Sequence, residues 1–211
     1  MKKILLIFVS IAAFCFGASA QKNIVLPEHS SDRGVSIMQS LQNRQSSNSF
    51  SDKELSMQDL SDLLWAACGI NRPEIKKRTA PSSQNTQDID VYVCLKDGVY
   101  VYDPQQNTIN LIASGDFRLL AEPKNSGTPA PCLLLLVADK SRYTPRNTEQ
   151  HVHNMVYVDA GIVSQNIGLF CSGVGLNTKP RAQMNHAELQ KALKLSDTQV
   201  LILNHPVGYP Q

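Results

Sequence analysis

Leu63-Leu64-Trp65-Ala66-Ala67-Cys68-Gly69-Ile70-Asn71, followed after six residues by Arg78-Thr79-Ala80-Pro81-Ser82-Ser83-Gln84-Asn85, is the stretch on which the reading of this chain turns. Its first part closes a helix. Ser56-Met57-Gln58-Asp59 has the form of a capping box, in which a hydroxyl accepts from the backbone three residues on. Leu60, Leu63, Leu64 and Ala67 recur at helical spacing, and Gly69 supplies the stop. Residues 71–88 are polar and irregular. Beyond them Ile89–Leu95 and Val99–Tyr102 flank Lys96-Asp97-Gly98, an Asp-Gly hairpin signal.

Outward from that stretch, Val35, Met38 and Leu41 place an apolar face on a first helix from about Asp32 to Asn43. The polar residues 21–31 before it predict a flexible N-terminal arm. A short helix is expected over Asp116–Glu122, and the unbroken apolar run Cys132–Ala138 predicts a strand covered on both faces. From Thr148 to Ser172, Val156, Ala160, Val163, Ile167 and Phe170 form the stripe of a long helix that Gly173 and Gly175 end. Asn185-His186-Ala187-Glu188 opens another capped helix carrying Leu189, Ala192, Leu193 and Leu195, and Val200–Leu203 is a final strand. Helices and strands mix without regular βαβ alternation. The pattern predicts an α+β domain rather than a doubly wound sheet.

The chain opens with Met1-Lys2-Lys3, an apolar run Ile4–Phe16, and Gly17-Ala18-Ser19-Ala20 before Gln21. Two cations, a short apolar core and an Ala-x-Ala site predict a signal peptide over residues 1–20 and export to the periplasm. Cys15 is the alternative, as a lipid anchor, but Phe14 stands where such signals carry a small residue. Removing Lys2 and Lys3 takes the formal charge from +2 to 0. That balance steers no polyanion, and no stretch interleaves basic and aromatic residues as a nucleic-acid groove does. Cys68, Cys94, Cys132 and Cys171 all sit in apolar contexts without zinc-site spacing, so buried free thiols are expected, although an oxidising compartment permits a bridge.

No GxGxxG, phosphate loop, nucleophile elbow or His-Glu-x-x-His is present. His151 and His153 point apart at that spacing on a helix, so no metal is expected. One arrangement does carry chemistry. Arg44-Gln45-Ser46-Ser47-Asn48-Ser49-Phe50 leaves the first helix directly, and a cation with a row of hydroxyls and amides can hold a phosphate.

The order of Arg44-x-Ser46, Leu63–Asn71 and Arg78–Asn85, continued by Gly98–Asp103, Asp159–Asn166, Gly173-x-Gly175-Leu176 and Pro206–Pro210, resembles the nitroreductase family. The Leu63–Asn71 and Arg78–Ser82 segments look closest to its SagB-type branch, which oxidises azoline rings in peptides. The resemblance covers about residues 35–210 and makes 32–211 a nitroreductase-like domain. It implies a mostly antiparallel sheet flanked by helices, and a homodimer packed around the long central helix. It also implies FMN-dependent hydride transfer to or from a small-molecule or peptide substrate. The cofactor carries that chemistry, so no side chain need act as acid or base.

By the same resemblance Arg44 and Ser46 hold the FMN phosphate. Asn48 stands where the family usually has a second cation, and an amide there loses the charge-assisted part of the contact. Pro81, Ser82, Ser83 and Asn85 match the segment that reaches the flavin from the opposite subunit. Asp116, with Arg118 close behind, falls near an Asn that meets the ring's pyrimidine edge; an ionised Asp there would disfavour the anionic reduced flavin. Pro180 precedes the flavin-facing segment, where Arg181, Ala182 and Gln183 replace the usual Glu and Gly. Relatives also continue past Gly208-Tyr209-Pro210 with phosphate cations. These departures imply either weak FMN binding or support from Arg78 or Arg181. They also leave open a degenerate member that holds flavin or another ligand without turnover, and a structural domain with no ligand.

Overall fold

In the computed structural model, which describes residues 23–122 and 127–211, the chain forms β1 (Asn23–Val25), α1 (Ile37–Asn43), α2 (Met57–Cys68), β2 (Ile70–Arg72), β3 (Lys77–Arg78), β4 (Ile89–Cys94), β5 (Gly98–Asp103), β6 (Thr108–Ser114), α3 (Arg118–Ala121), β7 (Cys132–Asp139), α4 (Glu149–Val174), β8 (Asn177–Thr178), α5 (His186–Ala192) and β9 (Gln199–Gly208). The predicted signal peptide lies outside the described residues. Among those residues no helix is long and apolar enough to cross a membrane.

The apolar run that predicts a doubly covered strand is β7, paired with β4 on one side and β9 on the other. Its side chains alternate between two cores, as a period of two requires. Leu134 and Leu136 meet α2 and α4, while Leu133, Leu135 and Val137 meet α3 and α5. The full sheet has the order β1-β6-β5-β4-β7-β9-β8, with every named pairing antiparallel. This is the predicted α+β class.

The capping residues do what their types suggest. Ser56 accepts from Asp59 N at 3.0 Å and Asn185 from Glu188 N at 3.3 Å. Thr148 caps the long helix by accepting from His151 N, and Gly175 ends it at φ +78°, where a side chain would be strained. α2 ends where Gly69 turns extended, and only glycine fits there, since a Cβ would sit 2.5 Å from Trp65 Cδ1. The four thiols are free and buried, and burial pushes each of them up from the ordinary cysteine range.

Three expectations are corrected. Residues 23–25 form an edge strand on β6, and Leu26 enters the core, so the described part of 21–31 is docked rather than a loose arm. The last strand continues through Pro206 to Gly208, because β8 pairs with its final two residues. The first helix starts at Ile37, and its apolar stripe is not buried: Val35, Met38 and Leu41 are 49%, 71% and 49% exposed. It packs on α4 through Ser40 instead, whose carbonyl accepts from Ser172 Oγ at 2.8 Å. A Cβ at Gly173 would stand 2.8 Å from Ser40 Oγ, so the small residue permits this approach.

Candidate functional site

The loop that leaves α1 is stitched to the far end of the fold. Ser47 N donates to Thr178 O at 3.1 Å, Asn177 Nδ2 to Ser49 O at 2.8 Å, and Ser51 N to Tyr209 O at 2.9 Å. This alignment brings a residue that the motif did not include. Lys179 Nζ donates to Asn48 Oδ1. The position that lacks a cation in sequence therefore has an ammonium in contact with it. Arg44 and Ser46 are exposed on the same loop, and among the described residues the Arg44 guanidinium has no hydrogen-bond or ion-pair partner.

Beneath that loop lies His205, fully buried in β9. Its Nε2 is 2.9 Å from Ser164 Oγ and its Nδ1 3.3 Å from Thr178 Oγ1. Burial, helped by the Arg181 charge, pushes the imidazole down to about 3, so it stays neutral and supports β8 as a polar pin.

Asp116 and Arg118 lie at the same end of the sheet and neutralise each other. Arg118 Nη2 sits 2.7 Å from Asp116 Oδ2 and Nε 2.9 Å from Oδ1. The guanidinium holds the carboxyl below the usual carboxylate range. The negative charge that would oppose a reduced ring is thus paired in place. Pro180 is exposed next to Lys179, but Arg181 is committed: it pairs with Glu122 and donates from Nε to Asn204 Oδ1 at 3.0 Å. Arg78 is committed as well, donating from Nη1 to Ile89 O at 2.9 Å and to Gln87 O at 3.3 Å. The two guanidiniums expected to replace missing phosphate cations are engaged in contacts within the fold, whereas the Lys179 ammonium touches Asn48.

Pro81, Ser82, Ser83 and Asn85 form a turn at the opposite end of the sheet. There Asp139 N at the end of β7 donates to Asp88 O at 2.8 Å, whereas the start of β7 pairs Cys132 with Val207, beside the Arg44–Asn48 loop. The eight residues of β7 separate these ends by roughly 23 Å at strand rise. The structure therefore brings Arg44, Ser46, Asn48, Asp116, Pro180 and Arg181 toward one end of the chain's sheet and places Pro81–Asn85 at the other. The histidines 151 and 153 diverge, one meeting the Tyr143 ring edge-on and the other Tyr157.

An antiparallel sheet wrapped on a long helix, with a polar loop that carries Arg44 and meets Lys179 at one end and a polar turn at the other, defines an α+β fold. Residues 41–209 match the nitroreductase family. The chain is 28% identical over 175 residues to a nitroreductase-family protein of Methanocaldococcus jannaschii, covering 78% of this chain and 86% of that one. It superposes on the crystal structure of a nitroreductase-family protein of Ralstonia eutropha JMP134 with a TM-score of 0.85 at 30% identity, covering 99% of this chain and 96% of that one. In fold alone it is similar to a chain of the Escherichia coli microcin synthetase McbBCD complex with truncated pro-MccB17 bound, at 20% identity and a TM-score of 0.68, over 97% of this chain and 85% of that one. The chain belongs to the nitroreductase family of oxidoreductases.

Proposed function

We propose that this protein is an exported, homodimeric, FMN-dependent oxidoreductase acting on a small molecule or peptide, with its site shared between two copies. The observation that carries this reading is the separation of the site's halves. Arg44–Asn48 and Pro81–Asn85 stand at opposite ends of one sheet, which supports a site in which the turn of a second copy meets the loop, as the family resemblance implies. The surfaces needed for that pairing are present. The α1 stripe Val35, Ile37, Met38 and Leu41 is exposed, as are Tyr157 and Val158 on α4. Gly161 and Gly168, seven residues apart on α4, have nothing within 4 Å of where a Cβ would be, which leaves room for a close helix approach.

The donor set suits FMN. Arg44 and Lys179 would meet the phosphate dianion, Ser46 and Asn48 would add neutral contacts, and the paired Asp116–Arg118 would present little net charge to the ring. Bound FMN would supply the redox chemistry by exchanging a hydride at N5. The protein's part is to hold and orient the cofactor and to shape access to it. The Leu63–Asn71 and Arg78–Ser82 segments favour a place in the SagB-type branch, and the Lys2–Ala20 segment favours export.

The test is the visible spectrum of purified protein titrated with FMN. A shifted flavin absorbance on binding, bleached by an electron donor, is the expected result. A protein that takes up no flavin sinks the proposal. One that binds flavin yet keeps it oxidised with every donor tried points to binding without turnover.

A further inference from the structure

A polar cluster buried at the inner end of the Ser82–Gln87 turn plays no part in contacts to a phosphate. Asp88 is fully buried at the start of β4, and Asp159 is all but fully buried on α4. The second carboxylate is well supplied with donors: Ser83 N reaches its Oδ2 at 2.9 Å and its Oδ1 at 3.1 Å, and Tyr143 Oη reaches Oδ2 at 3.2 Å. The first is not. Thr86 Oγ1 lies 3.1 Å from Asp88 Oδ1, but Asp88 Oδ2 is buried with no partner among the described residues.

Ser83 and Thr86 join the two side chains: Thr86 Oγ1 donates to Ser83 O and lies beside Asp88 Oδ1, while Ser83 N donates to Asp159. A carboxylate is an acceptor only, so two neighbouring ionised carboxylates away from water repel, and neither supplies a proton to the other. One proton between them removes the repulsion and satisfies the orphaned oxygen. The adjoining cavity, bounded by Arg78, Ser82, Gln87 and Asp159, is about 10 Å³, room for about one water and no more.

This pair is joined to a turn under strain. Gln84, Asn85 and Gln87 have φ of 53°, 57° and 50°, in the left-handed region that β-carbons disfavour. Such a backbone persists only where its surroundings over-determine it. Here Asp159 fixes Ser83 N, Thr86 Oγ1 donates to Ser83 O at 2.9 Å, and Gln87 N donates to Ser82 Oγ at 2.8 Å. Arg78 and Arg142 both donate to Gln87 O.

We propose that Asp88 and Asp159 share one proton and act as positioning residues, locking the strained Ser82–Gln87 turn to α4 so that the order of the turn depends on pH. Its consequence for cofactor rests on the reading above, in which this turn meets flavin in the second subunit. Burial first, then the hydrogen bond and charge of Asp159, pushes the Asp88 carboxyl up to about 7. The charged and titratable groups around the pair are Arg142 and Tyr143 after β7, Arg78 on β3, Asp90 on β4, and Cys68 closing α2. His151 of α4 stands one step away, against Gln84 and Tyr143. The Tyr143 phenol is itself pushed up to about 12 by burial, so it remains a donor throughout the range in question.

The sign follows from proton linkage. The native protein retains a proton that the unfolded chain gives up near pH 4, so the pair's contribution is complete below pH 4 and is lost as pH rises through about 7. His205 has the opposite slope between about 6.5 and 3, so the decisive quantity is the difference between wild type and Asp88→Asn, in which His205 cancels. Asparagine offers Asp159 an N–H at every pH. The melting temperature of Asp88→Asn should gain on wild type progressively from pH 4 to 7.5. FMN affinity should fall in wild type by up to about tenfold per pH unit above 7 and stay level in the variant. Infrared absorption of wild type should show a protonated carboxyl that disappears over the same range, a measurement that needs no variant. Parallel melting curves, or no carboxyl band at pH 6, overturn the shared proton. A stability difference with pH-independent FMN affinity overturns the positioning role. An absence of flavin binding with the stability difference intact overturns the cofactor reading and leaves the carboxyl pair standing.

Discussion

At the scale of single residues, the proposed anion loop is the part of the candidate site that sequence exposes only by half. Arg44 and Ser46 follow a helix end, and the nitroreductase resemblance marks them out in the sequence. Lys179 is not so marked, because it is 131 residues from Asn48 and no local pattern joins them. The only mark it leaves is a cation immediately before Pro180. If both cations hold the phosphate, Arg44→Ala and Lys179→Gln should each weaken FMN by about tenfold to a hundredfold, the loss of one charge-assisted contact. Ser46→Ala should cost less, about 0.5–1.5 kcal/mol, since a neutral donor is removed. Lys179→Arg should retain most of the affinity. Riboflavin, without a phosphate, should respond to none of these changes, and fluorescence titration of the two flavins in parallel measures the contrast. Equal effects on both flavins would remove Arg44 and Lys179 from the phosphate site.

At the scale of elements, capping side chains mark where α2 and α5 begin, and local chemistry is a poor guide to what helices touch. Ser56 and Asn185 cap as their side chains dictate, and Gly175 ends α4 in the conformation glycine favours. The period of the α1 stripe is real, yet those side chains face away from the protomer core. β6 escapes notice because its seven residues include Asn110 and alternate weakly; pairing with β5 and β1 on either side makes it a strand. The face of α4 that carries Gly161 and Gly168 gives this scale its prediction. Gly161→Leu should leave the monomer folded, because open space surrounds that position, and leucine should even favour the helix by up to about 1 kcal/mol. The same side chain should hold apart two closely packed helices. Light scattering is expected to give a dimer for wild type and a monomer for the variant, with unchanged far-ultraviolet helix signal. A wild-type monomer at micromolar concentration, with and without FMN, would reject the shared site.

At the scale of the whole molecule, three side-chain contacts join segments distant in sequence. Arg33 donates from Nη1 to Asp62 at 2.7 Å and from Nη2 to Asp59 at 2.5 Å, and Tyr209 donates to Asp59 as well. The N-terminal segment, α2 and the last strand are thereby closed on one another. Burial alone would raise the Asp59 carboxyl, but donors from Ser56, Tyr209 and Arg33 outweigh it and hold the group low. For the chain in its compartment, the signal pattern over Lys2–Ala20 predicts that protein from the native envelope starts at Gln21. N-terminal sequencing and intact mass test this; a different start, or a lipid on Cys15, counts against it. Sequence by itself determined the α+β class, the caps and turns of most elements, the doubly covered strand and the Arg44–Asn48 loop. Each of these is written in the spacing of residues a few positions apart. Only the tertiary structure decided the sheet order, the exposure of the α1 stripe, the engagement of Arg78 and Arg181 elsewhere, and the meetings of Lys179 with Asn48 and of Ser83 with Asp159. Those depend on which distant segments the sheet sets side by side, and hydrophobic period and turn chemistry act over too few residues to specify that.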